Sequence, residues 1–210
     1  VGDRLVQAIV LVADLVTARS RMRSLGLTAL DGGRHPGRGT ANLIVPFGRQ
    51  YLELLAVVDE DEARSSPHGR AVADAWWRRG PGLARWSVEP ADIDAVGRRL
   101  GYPVEQRQRL LPDGRVVRWR SVGVDAAWSE PWLAAFMAWD DPGLHPARME
   151  AHHPCGATGF ARLDVESPDP DALRGWLGGE PPDEVHVSPG SVGGPTALCL
   201  ASPTGAIALE

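Results

Sequence analysis

A chain of 210 residues, 43% hydrophobic and 23% charged, has the composition of a soluble globular protein and is long enough to bury a core as one large domain or two small ones. Its net charge of −5 argues against general nucleic-acid binding, and because all 22 basic residues are arginine, lysine Schiff-base chemistry and the phosphate-loop lysine are excluded. Cys155 and Cys199 are too few for a disulfide framework and lack zinc-ribbon spacing; with no membrane-length apolar run and no visible signal peptide, the cytoplasm is the expected setting.

Leu5 to Val12 is an apolar run broken only by Gln7 and reads as a strand. Asp14 opens a helical pattern through Leu15, Ala18, Met22 and Leu25 that stops at Gly26. Thr28 to Leu30 reads as a short strand before a loop, GGRHPGRG, over Gly32 to Gly39. Two β-like runs follow, Thr40 to Pro46 and Gln50 to Val57. In the second, strand alternation places Glu53 with Tyr51, Leu55 and Val57 on an otherwise apolar face, where a lone carboxylate is costly without a partner. The order so far is β-α-β-β-β.

Asp59 to Gly82 reads as a connector around a helix at Arg70 to Arg78. The order then repeats: a strand at Leu83 to Val88, a helix at Ala91 to Leu100, a hairpin of Val104 to Leu111 and Arg115 to Val122 around Pro112-Asp113-Gly114, a loop rich in Trp and Pro, and a strand at Trp132 to Trp139. A third, compressed unit is expected after a proline-rich linker, with a strand at Gly159 to Glu166, a helix at Asp169 to Leu177, and strands at Glu184 to Val187, Thr196 to Ala201 and Ala206 to Leu209. The expected organisation is a first module over 1–58, a connector over 59–82, a second module over 83–140, a linker over 141–156 and a third module over 157–210.

The run RHPGRGT, then Asn42, PFG and YLEL, followed by PDG with WR at Pro112 to Arg120, AWDDP at Ala138 to Pro142 and HPCGA at His153 to Ala157, resembles the glyoxalase-like domain proteins of the vicinal oxygen chelate superfamily. The resemblance implies an α+β fold of repeated βαβββ modules, mixed sheets curled round a cleft with helices outside, and commonly one divalent metal that chelates two substrate oxygens. It places Gln7 where relatives carry a histidine ligand and matches Glu53 to the carboxylate closing the first module. In the second module it puts Leu83 and Ala138 at the corresponding positions, so Gln7 and Glu53 are the only candidate metal ligands.

The residues support other roles for the same groups. Gln7 and Glu53 can instead hydrogen-bond each other across neighbouring strands, with Asn42 near them. Glu53 and His35 are the candidate catalytic residues, since His35 is the sole histidine of the first module. Asn42, Trp119 and Arg120 are candidate substrate-binding residues, although alternation puts Arg120 and Trp119 on opposite faces of one strand. Arg107 and Arg109 share a face of the partner strand. The GGRHPGRG loop, with Arg34, His35 and Arg38, is either an anion cradle or a structural turn. His152, His153 and Cys155 read as linker residues. The expected ligand is a small molecule, anionic if the arginines engage it, with no nucleotide cofactor, nucleic acid or membrane, and with a homodimer open to the chain. Two functions follow: a lyase or isomerase acting on an oxygen-rich metabolite between the first two modules, or a sequestration protein that has lost its metal.

Overall fold

The computed structural model describes residues 3–110, 114–191, 193–203 and 205–209. Strand β1 (Arg4–Leu11), helix α1 (Leu15–Ser24), and strands β2 (Leu30–His35), β3 (Thr40–Pro46) and β4 (Tyr51–Val57) form the first unit. Part of the expected glycine-rich loop is therefore the edge strand β2, and only Pro36 to Gly39 turn into β3. Helices α2 (Glu60–Ser65) and α3 (Pro67–Arg79) occupy the connector, where a single shorter helix was expected. The break between them has a local cause: Ser66 is extended and caps α3 by accepting from the Gly69 N–H, and Pro67 starts that helix.

The second unit comprises β5 (Gly82–Glu89), α4 (Ile93–Leu100), β6 (Glu105–Leu110), β7 (Val116–Val122), the short α5 (Val124–Ser129) and β8 (Ala135–Trp139). The tip of the hairpin at Pro112-Asp113 lies outside the described residues. The expected Trp- and Pro-rich loop contains α5.

These two units share one eight-stranded sheet of order β2-β3-β4-β1-β5-β8-β7-β6, a palindrome about the antiparallel β1–β5 pair. Within each unit the first strand pairs in parallel with the last. That central position explains the near-continuous apolar character of β1 and β4, which are covered on both faces.

The final unit, β9 (Gly159–Ser167), α6 (Pro170–Leu177), β10 (Val185–Pro189), β11 (Gly194–Ala201) and β12 (Ile207–Leu209), has the element order of the others but a different pairing. Its sheet runs β10-β9-β11-β12, so its first strand pairs with the second and third rather than with the last. It packs against the convex face of the large sheet, where Leu5, Ala8, Trp86 and Phe136 join Phe160, Leu163, Leu198 and Leu200 in one core with α1 and α4. The concave face is thereby left to the cavity. Among the described residues no helix is long and apolar enough to cross a membrane.

Candidate functional site

Two β-bulges decide which side chains reach the concave face. In β1, Leu5 pairs with Val88 and Gln7 with Ser87, so Val6 is an inserted residue. Leu5 consequently joins the convex core, while Val6 packs with Ile44 and Tyr51 and Gln7 lines the cavity. In β5, Ile9 pairs with Arg85 and Val10 with Leu83, so Ala84 is inserted. Ala84 packs with Ile9, Leu11 and Leu55, and Arg85 lines the cavity. Gln7 and Arg85 are thus equivalent: each is the fourth residue of its strand and follows the inserted one.

Two expectations are corrected by this register. Leu83 does not occupy the second module's counterpart of Gln7, because the bulge at Ala84 turns Leu83 toward the convex core and brings in Arg85. Ala138 does not match Glu53 either. Ile9 pairs with Glu53, and its counterpart Ser87 pairs with Ala135, so the match to Glu53 is Ala135, while Ala138 packs on the convex side.

The floor of the cavity is a chain of polar groups. Glu53, buried on β4, accepts from Gln7 Nε2 at 2.5 Å and from Asn42 Nδ2 at 2.6 Å. Gln7 Oε1 accepts from Ser87 Oγ at 2.7 Å and from Arg85 Nη2 at 3.2 Å. This amide thus links the carboxylate to the guanidinium. Gly32 permits the arrangement, since a Cβ there would overlap Asn42 Oδ1.

Arg85 is only 4% exposed and lies 5.0 Å above the Trp128 ring. Its Nε and Nη1 make no hydrogen bond to any described residue. Burial lowers its pKa, against the pull of Glu53 and Tyr51, yet a guanidinium remains charged in proteins. Ser121 Oγ is likewise buried without a described partner.

The walls are apolar and aromatic. Trp119 and Trp139 lie 5.2 Å apart, and Tyr51, Met137 and Ile44 complete that side of a cavity of about 530 Å³, a size suited to a small organic ligand. Burial, then Glu53, pushes the Tyr51 phenol well above its usual range. Helices α3 and α5 close one end through Val72, Ala75, Ala127 and Trp128. The turn carrying His145 and Ala147 closes the other, where His145 stands 4.9 Å from Trp139.

Arginines crowd the more open side. Arg38 comes from the β2–β3 turn, and Arg107 and Arg109 from β6. Arg34 is committed to Asp59 at 3.1 Å and Glu62 at 2.5 Å, and the Gly37 N–H also donates to Glu62, so this part of the loop is held as a turn. His35 lines the cavity with its Nδ1 2.9 Å from Thr40 Oγ1. Burial lowers the His35 pKa; Glu53 opposes this, while Arg109 and Arg38 add to it. His68, from α3, is pushed down to about 3 by burial and then by Arg38 and Arg85.

Gln7, His35, Asn42, Glu53 and Trp119 therefore meet in one cavity, as the sequence suggests. Arg120 does not join them. It reaches the other way, to Asp94 on α4 at 2.9 Å and Asp140 at 3.7 Å, because the pairing of Trp119 with Trp139 commits the opposite face of β7 to the cavity. His153 donates from Nε2 to the Pro46 carbonyl at 2.8 Å and its Nδ1 accepts from the Thr28 N–H at 3.1 Å, a linker role.

The residues present do not suit a divalent metal. The four equivalent positions hold Gln7, Glu53, Arg85 and Ala135: one amide whose oxygen already accepts twice, one carboxylate, one methyl group and a fixed positive charge. Among the described residues no group of three or more His, Cys, Asp or Glu side chains converges as a metal site.

Comparison with known proteins accords with this architecture. A family model described as a glyoxalase-like domain matches residues 8–179. Among solved structures, a hypothetical protein from Staphylococcus aureus superposes with a TM-score of 0.64 at 14% identity, over 98% of this chain and 84% of that one. A methylmalonyl-CoA epimerase from Mycobacterium tuberculosis has a TM-score of 0.44 and 22% identity, over 64% of this chain and 85% of that one. A methylmalonyl-CoA epimerase from Streptomyces coelicolor gives 0.46 and 18%, over 66% of this chain and 94% of that one. No curated protein matches the chain.

Proposed function

The chain belongs to the glyoxalase-like domain family of the vicinal oxygen chelate superfamily, and from that premise we propose that it is a lyase or isomerase acting on a small, oxygen-rich anion, with Glu53 as the base and the Arg85 guanidinium in place of a metal. The observation that carries this reading is Arg85 itself, a buried cation with two N–H edges unmatched by any described residue, joined to a buried carboxylate through a single amide. An unpaired buried donor is costly, and it is retained where a ligand completes it.

The chemistry follows from where charge would appear. A carbon acid next to a carbonyl loses its proton to a carboxylate and leaves negative charge on the carbonyl oxygen. Gln7 and Asn42 orient Glu53, and each of its oxygens keeps a second lone pair for the incoming proton. Arg85, with Ser121 Oγ as a further donor, meets the developing oxyanion in a site walled by Trp128, Trp119 and Met137, where low polarity strengthens the attraction. The proton taken up by Glu53 is the one returned to carbon; His35, its pKa held low by burial, stays a neutral imidazole that offers a hydrogen bond rather than a fixed charge.

Exchange of the α-protons of pyruvate and other 2-oxo acids in D₂O, followed by proton NMR, tests the assignment. Exchange by the wild type should fall about 10²–10⁴-fold in Glu53→Gln, the range associated with a lost general base. Equal exchange in both proteins would sink Glu53 as the base. The engagement of both Glu53 oxygens by amide donors favours a second reading, ligand sequestration without turnover. Arg85-dependent binding with no exchange of any bound acid would select it.

A further inference from the structure

The arginines are distributed unequally over the cavity, and that distribution carries information about the ligand. Among the described residues five arginines but a single carboxylate, Glu53, line it, in a chain whose net charge is −5. Arg85 is at the floor, and Arg34 is neutralised by Asp59 and Glu62. Three remain on the partly exposed side: Arg38 from the first unit, and Arg107 and Arg109 from the second. Neither Arg38 nor Arg109 forms a salt bridge with a described residue, and Arg107 pairs only with Glu105 two residues away.

Their convergence is built into the fold. A Cβ on Gly39 would overlap the Asp59 carbonyl and Ala63, and one on Gly69 would approach the Arg38 carbonyl, so these two glycines let the β2–β3 turn seat against the α2–α3 junction and hold Arg38 over the cavity. Arg107 and Arg109 alternate onto the same face of β6, paired with Trp119 and Val117 of β7, which also line the cavity. Burial, then the nearby Arg107, lowers the Arg38 pKa, and Glu105 and Glu53 oppose the shift.

We propose that Arg38, Arg107 and Arg109 form a second anion subsite, distinct from Arg85, that binds a phosphoryl or pyrophosphoryl group carried by the substrate. One guanidinium matches one planar carboxylate in a bidentate pair. Three guanidiniums converging from two units suit the several oxygens and higher charge of a phosphate-type group. The ligand class is then a phosphorylated oxo acid or acyl compound, its reactive end on the floor and its phosphate at the rim. This inference rests on the reading of the cavity as an anion site with Arg85 at its floor.

Isothermal titration with inorganic pyrophosphate tests the rim separately from the floor. Arg107→Gln with Arg109→Gln should weaken pyrophosphate about 100-fold, given roughly tenfold for each charge-assisted hydrogen-bonding partner removed. Arg85→Met and the remote Arg162→Gln should leave that affinity within about threefold, a change of under 1 kcal/mol. All three positions to be changed at the rim or remotely are partly exposed or exposed, and matched thermal unfolding confirms that the variants fold. The inference is overturned if pyrophosphate fails to bind the wild type, if the double variant binds it as well, or if Arg162→Gln loses as much. Pyrophosphate binding that depends on the rim, with no Glu53-dependent exchange of any acid, would uphold the subsite and reject the proposed reaction. Exchange without pyrophosphate binding would do the reverse.

Discussion

The two halves of the cavity are built on the same five-element plan and carry opposite chemistry. At equivalent positions the first unit presents Gln7, Asn42 and Glu53, and the second presents Arg85, Ser121 and Ala135. One half is a hydrogen-bonded carboxylate in an amide cradle; the other is a guanidinium held between an indole and apolar side chains. The pairing of strands fixes where the groups sit, and only the residue at each position decides whether the cavity holds a metal, a base or a cation. The two halves also differ energetically. Each oxygen of Glu53 is satisfied by protein, whereas Arg85 keeps two nitrogens without a described partner. Both halves keep an unpartnered buried atom, Asn42 Oδ1 in the first and Ser121 Oγ in the second, but only the second holds a buried charge with unmatched N–H groups among the described residues.

The sharpest way to break this comparison is to remove each charge in turn and measure stability. Glu53→Ala strips the nearby carboxylate from a buried guanidinium, and we expect a loss of about 3–5 kcal/mol, as for one partner removed from a buried ionic network. Arg85→Met replaces an incompletely bonded charge with an apolar side chain of similar length, and should be neutral or stabilising by about 1–4 kcal/mol while weakening the binding of pyruvate at the floor. Urea denaturation of the two variants provides the numbers. Comparable destabilisation by both would mean that Arg85 is held for structure, and the case for a ligand at its free edges would fail.

A smaller effect separates the two ends of the cavity from its floor. His68 at one end and His145 at the other have pKa values lowered to about 3 and about 4, each chiefly by burial, with arginines contributing. A histidine depressed in the fold takes up protons more readily when unfolded, so its neutral form contributes stability above the unfolded value near 6.5 that is lost as the pH falls toward the folded value. For His68 the loss should reach about 2 kcal/mol at pH 5. His68→Gln should flatten the fall in melting temperature between pH 6.5 and 4 relative to wild type. An unchanged profile would show that the imidazole is solvated and does not line a closed end.

The first half of the cavity was legible in the sequence and the second was not, for reasons that can be named. β3 and β4 pair without irregularity, so simple alternation correctly set Glu53 and Asn42 on the face with Tyr51, Leu55 and Ile44. Gln7 was found although its parity with Leu5 was not kept: the inserted Val6 turns Leu5 to the convex side without moving Gln7. The same kind of insertion at Ala84 hid Arg85, because a strand that is buried on both faces gives no sign of where its alternation slips. His68 could not be found from local pattern, since α3 brings it to the cavity from a segment with the polar composition of a connector. A signal for Arg107 and Arg109 was present, in their shared face on a hairpin, but that face was legible only together with the neighbouring strand's register.

Arg120 is the case in which the neighbouring strand settles what alternation alone left open. Trp119 and Arg120 cannot both face the ligand, and the pairing of Trp119 with Trp139 gives the cavity to the tryptophan. Arg120 then bridges Asp94 and Asp140 on the outer side, with its side chain 33% exposed and those of its partners 54% and 41%. Exposed pairs of this kind contribute about 0–1 kcal/mol, so Arg120→Ala should lower stability by no more than that. It should leave the affinity for both pyruvate and pyrophosphate unchanged, while Arg85→Met weakens the first and the Arg107 and Arg109 substitutions weaken the second. A selective loss of carboxylate binding in Arg120→Ala would mean that β7 presents its other face to the ligand in solution, and the equivalence of the two halves would have to be redrawn around that strand.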